Sequence, residues 1–237
     1  MLRSSLNVAS YNVHSCVGAD LRCDVGRVAE VIRELECDTV GLQEVIGRHG
    51  EKRCDPNQLD ELAQYTGMTP LAGATIERDD GHYGNAILTR RRIVRSCTHD
   101  LSFQHYEPRG AIEADLDVDG RTVRVFVTHL GLRPAERRAQ VRQIADVLGR
   151  TPLDMPLVVL GDINEWLPIG RPVRWLHRLL EQAPSARSFP VWMPVFALDR
   201  IWARPRRMLR TFAVHRSPLA RVASDHYPVK ARIAIGD

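Results

Sequence analysis

Side chains able to handle a phosphate and a metal ion recur along this chain where short apolar runs end. In order they are Tyr11-Asn12, Gln43-Glu44, Tyr83-Gly84-Asn85, Thr128-His129, Gly161-Asp162-Ile163-Asn164, Leu198-Asp199-Arg200-Ile201 and Ser224-Asp225-His226. Carboxylate and amide oxygens suit a hard cation such as Mg²⁺, and imidazole moves protons near neutral pH. Gathered at the strand ends of one domain, such groups would suit metal-assisted hydrolysis of a phosphoester.

Each signature also has an ordinary reading. Leu157-Val158-Val159-Leu160 reads as a buried strand, after which Asp162 and Asn164 would point the same way if extended geometry persists. Alone, the same pair is a turn whose side chains bond their own backbone. Asp199 follows Phe196-Ala197-Leu198 and precedes Ile201-Trp202, so a partly buried carboxylate is expected, with a salt bridge to Arg200 as the plain alternative. Glu44, Asn12 and His129 each read singly as a polar residue closing a strand. Asp225 and His226 set an acid beside a base just before the last strand.

The elements that must position these groups are legible from periodicity. Strands are expected at Leu6–Tyr11, Thr39–Leu42, Asn85–Thr89, Ile93–Leu101, Ala111–Val118, Thr122–Thr128, Leu157–Leu160, Leu198–Trp202 and Tyr227–Ile235. Asp119-Gly120 between two of them predicts a tight hairpin. Helical patterns cover Val25–Glu36, Pro56–Tyr65 before Gly67, Pro134–Leu148 before Gly149, and Arg171–Gln182. Ala183–Pro194, rich in Pro, Ser and Arg, is expected to be a surface loop. Strands outnumber helices and hairpins sit among them, which predicts two packed sheets with helices on the outer faces, in one domain spanning residues 1–237.

Composition sets outer limits. With 237 residues, 44% hydrophobic and 26% charged, the chain can bury a two-layered core, and no segment has the apolar length of a membrane span. The start at Met1-Leu2-Arg3-Ser4-Ser5 runs straight into a strand, so no signal peptide and a cytoplasmic location are expected. The five cysteines form no CxxC pair, which argues against a zinc site and for reduced, structural thiols, with a disulfide between two of them as the other reading. Charge is uneven. Trp166 to Val222 holds eleven arginines against two acids, although the whole chain is only +4, so a basic lobe sits beside a net acidic remainder.

Taken together, in this order and with these neighbours, the signatures resemble the endonuclease/exonuclease/phosphatase superfamily, from Ala9-Ser10-Tyr11-Asn12 to Ala223-Ser224-Asp225-His226-Tyr227-Pro228-Val229. The resemblance implies an α/β (α+β) fold, a four-layer α/β/β/α sandwich of two mostly antiparallel sheets flanked by helices. It implies a phosphodiester hydrolase in which water attacks phosphorus. Glu44, with Asn12 and Asp225, would hold Mg²⁺ or Mn²⁺. Asp162 and Asn164 would position the water and a phosphate oxygen. His226, oriented by Asp199, would be the base or a phosphate ligand, and family accounts differ on whether it or Asp162 takes the water's proton. His129 would contact the phosphate or protonate the leaving oxygen. Tyr83, Asn85 and Arg109 would meet substrate, with a structural salt bridge as the other reading of Arg109.

The branch within the superfamily stays open. Tyr83-Gly84-Asn85 stands where pancreatic-type enzymes carry a glutamate and looks more like the phosphatase and sphingomyelinase branches. Leu198–Ile201 and Ser224–Val229 look like the deoxyribonuclease versions. A monomeric nuclease is favoured, with Arg171, Arg174, Arg204, Arg206 and Arg207 gripping backbone phosphates. A phospholipid or inositol-phosphate hydrolase is the alternative and would use Pro190–Pro194 as an apolar rim, provided that Trp192 and Met193 are exposed. A catalytically inactive scaffold is the third reading.

Overall fold

A computed structural model describes residues 4–47, 57–78 and 81–236. Eleven strands form two sheets. The first sheet has the order β10 (Leu209–Val214), β11 (Val229–Ala234), β1 (Ser5–Asn12), β2 (Thr39–Gly47), β4 (Gly81–Thr89), β3 (Thr69–Arg78). The second runs β5 (Arg92–Asp100), β6 (Gly110–Val118), β7 (Arg121–His129), β8 (Leu157–Asp162), β9 (Asp199–Arg204). Pairing is antiparallel except for β1 with β2 and β7 with β8.

The alternation of apolar residues explains the layering. Leu6 and Val8 of β1 meet Val125 and Val127 of β7, and Val158 and Leu160 of β8, between the sheets. Ala9 and Tyr11 face outward beneath α1 (Val25–Glu34) and α2 (Gln58–Thr66). Phe126 and Val159 face the other way, beneath α3 (Pro134–Leu148) and α4 (Arg171–Leu180). The result is the four-layer α/β/β/α sandwich that the resemblance implied. A short helix, α5 (Ala220–Ala223), precedes the last strand.

Local signals behave as their chemistry dictates. Asp24 caps α1 by accepting the Arg27 N–H, and Gly67 ends α2 in the left-handed conformation. Asp119 and Gly120 both take positive φ in the β6–β7 hairpin. Pro56, the expected start of the second helix, lies outside the described residues. β3 and β10 were not foreseen: Pro70 and Gly73 mask the first, and the basic run around Arg210 masks the second. Both are edge strands, where proline, glycine and charge are tolerated. Two further expectations need correction. Cys23 is disulfide-bonded rather than reduced, while Cys16, Cys37 and Cys97 are free. The Ala183–Pro194 segment is only partly at the surface, because Tyr227 N–H donates to the Ser188 carbonyl and Val191 N–H to the Asp225 carbonyl, drawing Ser188 fully into the interior.

Gly161 shows how closely the central strands approach. Its φ is +155° and a Cβ there would lie 1.9 Å from the Thr128 carbonyl oxygen, on the parallel neighbour. Gly161→Ala is therefore expected to cost about 1–3 kcal/mol by forcing β7 and β8 apart, read as a lower melting temperature. An unchanged melting temperature would mean that the strand pair opens freely.

Candidate active site

The sheet register lines up the polar strand ends. His129 ends β7 opposite Asp162, which ends β8, and Asp162 in turn pairs with Asp199, the first residue of β9. Three groups from three consecutive strands thus stand in a row on one sheet. The other sheet brings Asn12 at the end of β1 beside Gln43, and therefore beside Glu44. Glu44 has φ +60° within an irregularity of the β2–β4 pairing, a bulge that turns its side chain out of the normal alternation. A non-glycine residue in that conformation is strained, as residues at functional sites often are.

Short contacts join the two sheets here. Asn12 Nδ2 donates to Glu44 Oε1 at 2.9 Å and to Asp162 Oδ2 at 3.1 Å. Its carbonyl oxygen accepts the His14 N–H, so the amide nitrogen is what faces the cluster. Asp162 Oδ1 accepts the Asn164 N–H at 2.9 Å, and Asn164 holds φ +51° while its Nδ2 donates to the Leu130 carbonyl. His226 Nδ1 bonds Asp199 Oδ2 at 2.9 Å, and its Nε2 lies 3.7 Å from Asp162 Oδ2. Asp199 does not take the salt-bridge alternative with Arg200, whose Nε donates to the Ala197 carbonyl.

The protonation states follow from these surroundings. Burial opposes a charge on His226, but Asp199, then Asp162 and Asp225, outweigh it and carry its pKa up to about 10. Burial raises Asp162 to about 6; His226 pulls it down and Asp199 pushes it up. His129 is held well below its usual value, first by burial, then by Arg109 and His226. It is therefore neutral, and each ring nitrogen faces a donor, Arg109 NH1 at 3.1 Å from Nδ1 and Asn164 Nδ2 at 3.0 Å from Nε2. Asp162 Oδ2 lies 3.5 Å and Glu44 Oε1 4.0 Å from the same Nε2. At neutral pH the cluster thus presents an imidazolium, a neutral imidazole and two amides around a carboxylate poised to accept a proton.

The donor set fits a hard cation. Glu44 offers a partly exposed carboxylate, and the ligand atoms of Asp162, Asp199 and His226 lie within 4.8 Å of one another. Asp199 Oδ1 is buried with no hydrogen-bond partner, an uncompensated anionic oxygen of the kind that a nearby positive charge relieves. Asp225 is turned aside, with its carboxylate 3.9 Å from His14 Nδ1. Burial, and then the charge of nearby Glu44, hold the Tyr83 phenol above its ordinary pKa. The Asn85 amide donates to the Gly110 carbonyl and so braces the strand that follows Arg109. Arg109 makes the salt bridge of its structural reading, with Glu107, and also bonds His129.

Two neighbours escaped sequence reasoning. Ser188 Oγ donates to Asp199 Oδ2 at 2.5 Å, and the Phe189 ring lies 4.6 Å from that of His226. Both sit in the segment read as a surface loop, and no local pattern marks them.

Residues 9–226 match the Endonuclease/Exonuclease/phosphatase family, a span running from the first site strand through His226. The chain belongs to this family. At that level it is a hydrolase of the phosphoesterase or nuclease type. It is 30% identical to the uncharacterized protein YbhP of Escherichia coli K12, over 97% of this chain and 96% of that one. Among solved structures of the fold, a mannosyl-6-phosphatase of Bacteroides thetaiotaomicron superposes with a TM-score of 0.76 at 18% identity, covering 97% of this chain and 100% of that one. TDP2 of D. rerio, complexed with a single-strand DNA product, gives 0.70 at 19%, covering 98% and 100%. Those two family folds differ in what their names say they act on or hold, so the fold leaves the substrate open.

Proposed function

We propose that this family member is a divalent-metal-dependent phosphodiesterase that acts through a single catalytic domain. Support comes chiefly from one arrangement: His129, Asp162 and Asp199 in register on one sheet, with His226 bonded to Asp199 and with Glu44 and Asn12 reaching in from the other. Glu44, with Asp162 and Asp199 nearby, would hold Mg²⁺ or Mn²⁺, which when bound supplies charge neutralisation at the phosphate and lowers the pKa of water.

The chain's own residues divide the remaining work. Asp162, a carboxylate at neutral pH beside Asn164, accepts the proton of the attacking water. His226, already protonated, serves as a donor to the phosphoryl oxygens rather than as the base. His129, held between Arg109 and Asn164, contacts a phosphate oxygen or protonates the departing alkoxide. Water adds to phosphorus, the ester P–O bond breaks, and the alcohol leaves with a proton, giving a phosphomonoester. Polar groups from four strand ends converging on one spot argue against an inactive scaffold.

Nucleic acid remains one substrate class for this chemistry, but the arginines expected to grip it are divided. Arg171 opens α4 near the site, whereas Arg204, Arg206 and Arg207 lie at or beyond the opposite end of β9. Arg204 and Arg206 there bond main-chain carbonyls. The test of the reaction is hydrolysis of bis-p-nitrophenyl phosphate by the purified protein with and without EDTA. We expect turnover that chelation abolishes and Mg²⁺ or Mn²⁺ restores; turnover indifferent to EDTA would reject metal dependence, and none under any metal would reject the reaction.

A further inference from the structure

Large apolar side chains exposed to solvent are concentrated at one end of the molecule. Among the described residues twelve are exposed, and Tyr65, Val94 and Leu153 are the three that lie away from the site end. Three loops joined to the second sheet beside the site carry seven of the others. Leu132, 66% exposed, follows His129. Trp166, Leu167 and Ile169, at 50%, 65% and 77%, follow Asn164. Trp192, Met193 and Val195, at 69%, 52% and 40%, precede Asp199. Trp166 packs on Phe196 with ring centroids 4.6 Å apart, which ties two of these loops together. A cleft of about 490 Å³ opens between the loop after His129 and the loop after Asn164, lined in part by Leu132, Pro134, Arg138, Trp166, Leu167 and Arg171.

The residue types discriminate between occupants. Single-stranded nucleic acid is held by aromatic faces on which bases stack, and Leu132, Leu167, Ile169 and Met193 have none. Aliphatic groups with tryptophan, interleaved with cations, instead suit the boundary between headgroups and acyl chains. The charge agrees. Arg133, Arg171 and Arg187 are exposed on the same three loops, whereas Glu165 is buried against Arg137 and nearby Glu107 is paired with Arg109. An anionic lipid surface complements such a rim. Patches of this kind on soluble folds mark interaction sites.

We infer that this rim docks on an anionic lipid surface and that the phosphoester hydrolysed belongs to a lipid headgroup. The inference rests on the hydrolase reading for its chemistry but not for its binding. A headgroup reaching between the loops meets Asp162 and His226 without its lipid leaving the surface; water then cleaves the phosphoester and the released alcohol carries away a proton.

The experiment is cosedimentation with vesicles of phosphatidylcholine, with and without phosphatidylglycerol, beside single-stranded DNA as a competing ligand. Wild-type protein should bind the anionic vesicles, and Leu167→Ser with Ile169→Ser and Trp192→Ser should weaken that binding by roughly tenfold or more. Should the triple variant fail to melt cooperatively, the Leu167/Ile169 pair and Trp192→Ser alone give the same reading. Absence of vesicle binding overturns the inference, as does binding that the variants leave unchanged. Retention on DNA but not on vesicles, lost in the variants, overturns it in favour of nucleic acid. Hydrolysis of the soluble diester is scored separately, so a dead enzyme that binds vesicles sinks the reaction while sparing the docking.

Discussion

Asp162→Asn should cost turnover roughly 10²–10⁴-fold, the range for losing a general base, while leaving stability within about 1 kcal/mol of the wild type. The separation follows from what burial does to this carboxylate. Its pKa of about 6 against an ordinary 3.8 means that the folded state prefers the neutral acid. The sign is therefore opposite to that of a salt-bridged aspartate. On this group's account stability is lower above pH 6 and increases as the pH falls from 6 through 3.8. Asparagine keeps the neutral shape and an oxygen for the Asn164 N–H, though it surrenders the bond from Asn12. Catalysis needs the charged form, so wild-type kcat should fall as the pH drops through about 6, well above the usual carboxylate limb. The variant should lack that limb. Near wild-type turnover in Asp162→Asn, or a limb near 4, would remove Asp162 from the role of base.

Much of this site was legible because strand ends are local. An apolar run followed by Gly161-Asp162-Ile163-Asn164 needs no partner to be read, and β8 ends at Asp162. What the run cannot show is its neighbour: that Asp162 faces His129 on one side and Asp199 on the other is a register, set by long-range pairing. Ser188 was hidden for the same reason. Its burial comes from main-chain bonds between the Ser188–Val191 stretch and Asp225–Tyr227, not from its own composition. The basic lobe misled differently. Eleven arginines close in sequence do not share a face when α4 and the length of β9 separate them, so charge counted along the chain overstated charge at the mouth. Conversely, Trp192 and Met193 had been placed only conditionally in a rim, and their exposure meets that condition.

The metal reading stands on Glu44, and Glu44→Gln isolates its charge. The substituted amide oxygen can still accept from Asn12 Nδ2, which at present bonds Glu44 Oε1 at 2.9 Å, so the bridge between the sheets is preserved. Removing one negative charge from the cation's surroundings should weaken Mn²⁺ binding, followed directly by water-proton relaxation, and lower activity at limiting metal roughly 10²–10³-fold. Saturating metal should recover part of the loss. His226→Ala provides the contrast. Its loss removes a cationic donor to the phosphate rather than a ligand charge, so turnover should collapse while Mn²⁺ affinity holds or rises, because a positive imidazolium near the carboxylates has gone. The two variants must therefore part on the metal axis. If Glu44→Gln binds Mn²⁺ as tightly as the wild type, the cation sits elsewhere, and Asp162 with Asp199 becomes the pair to which the metal must be reassigned.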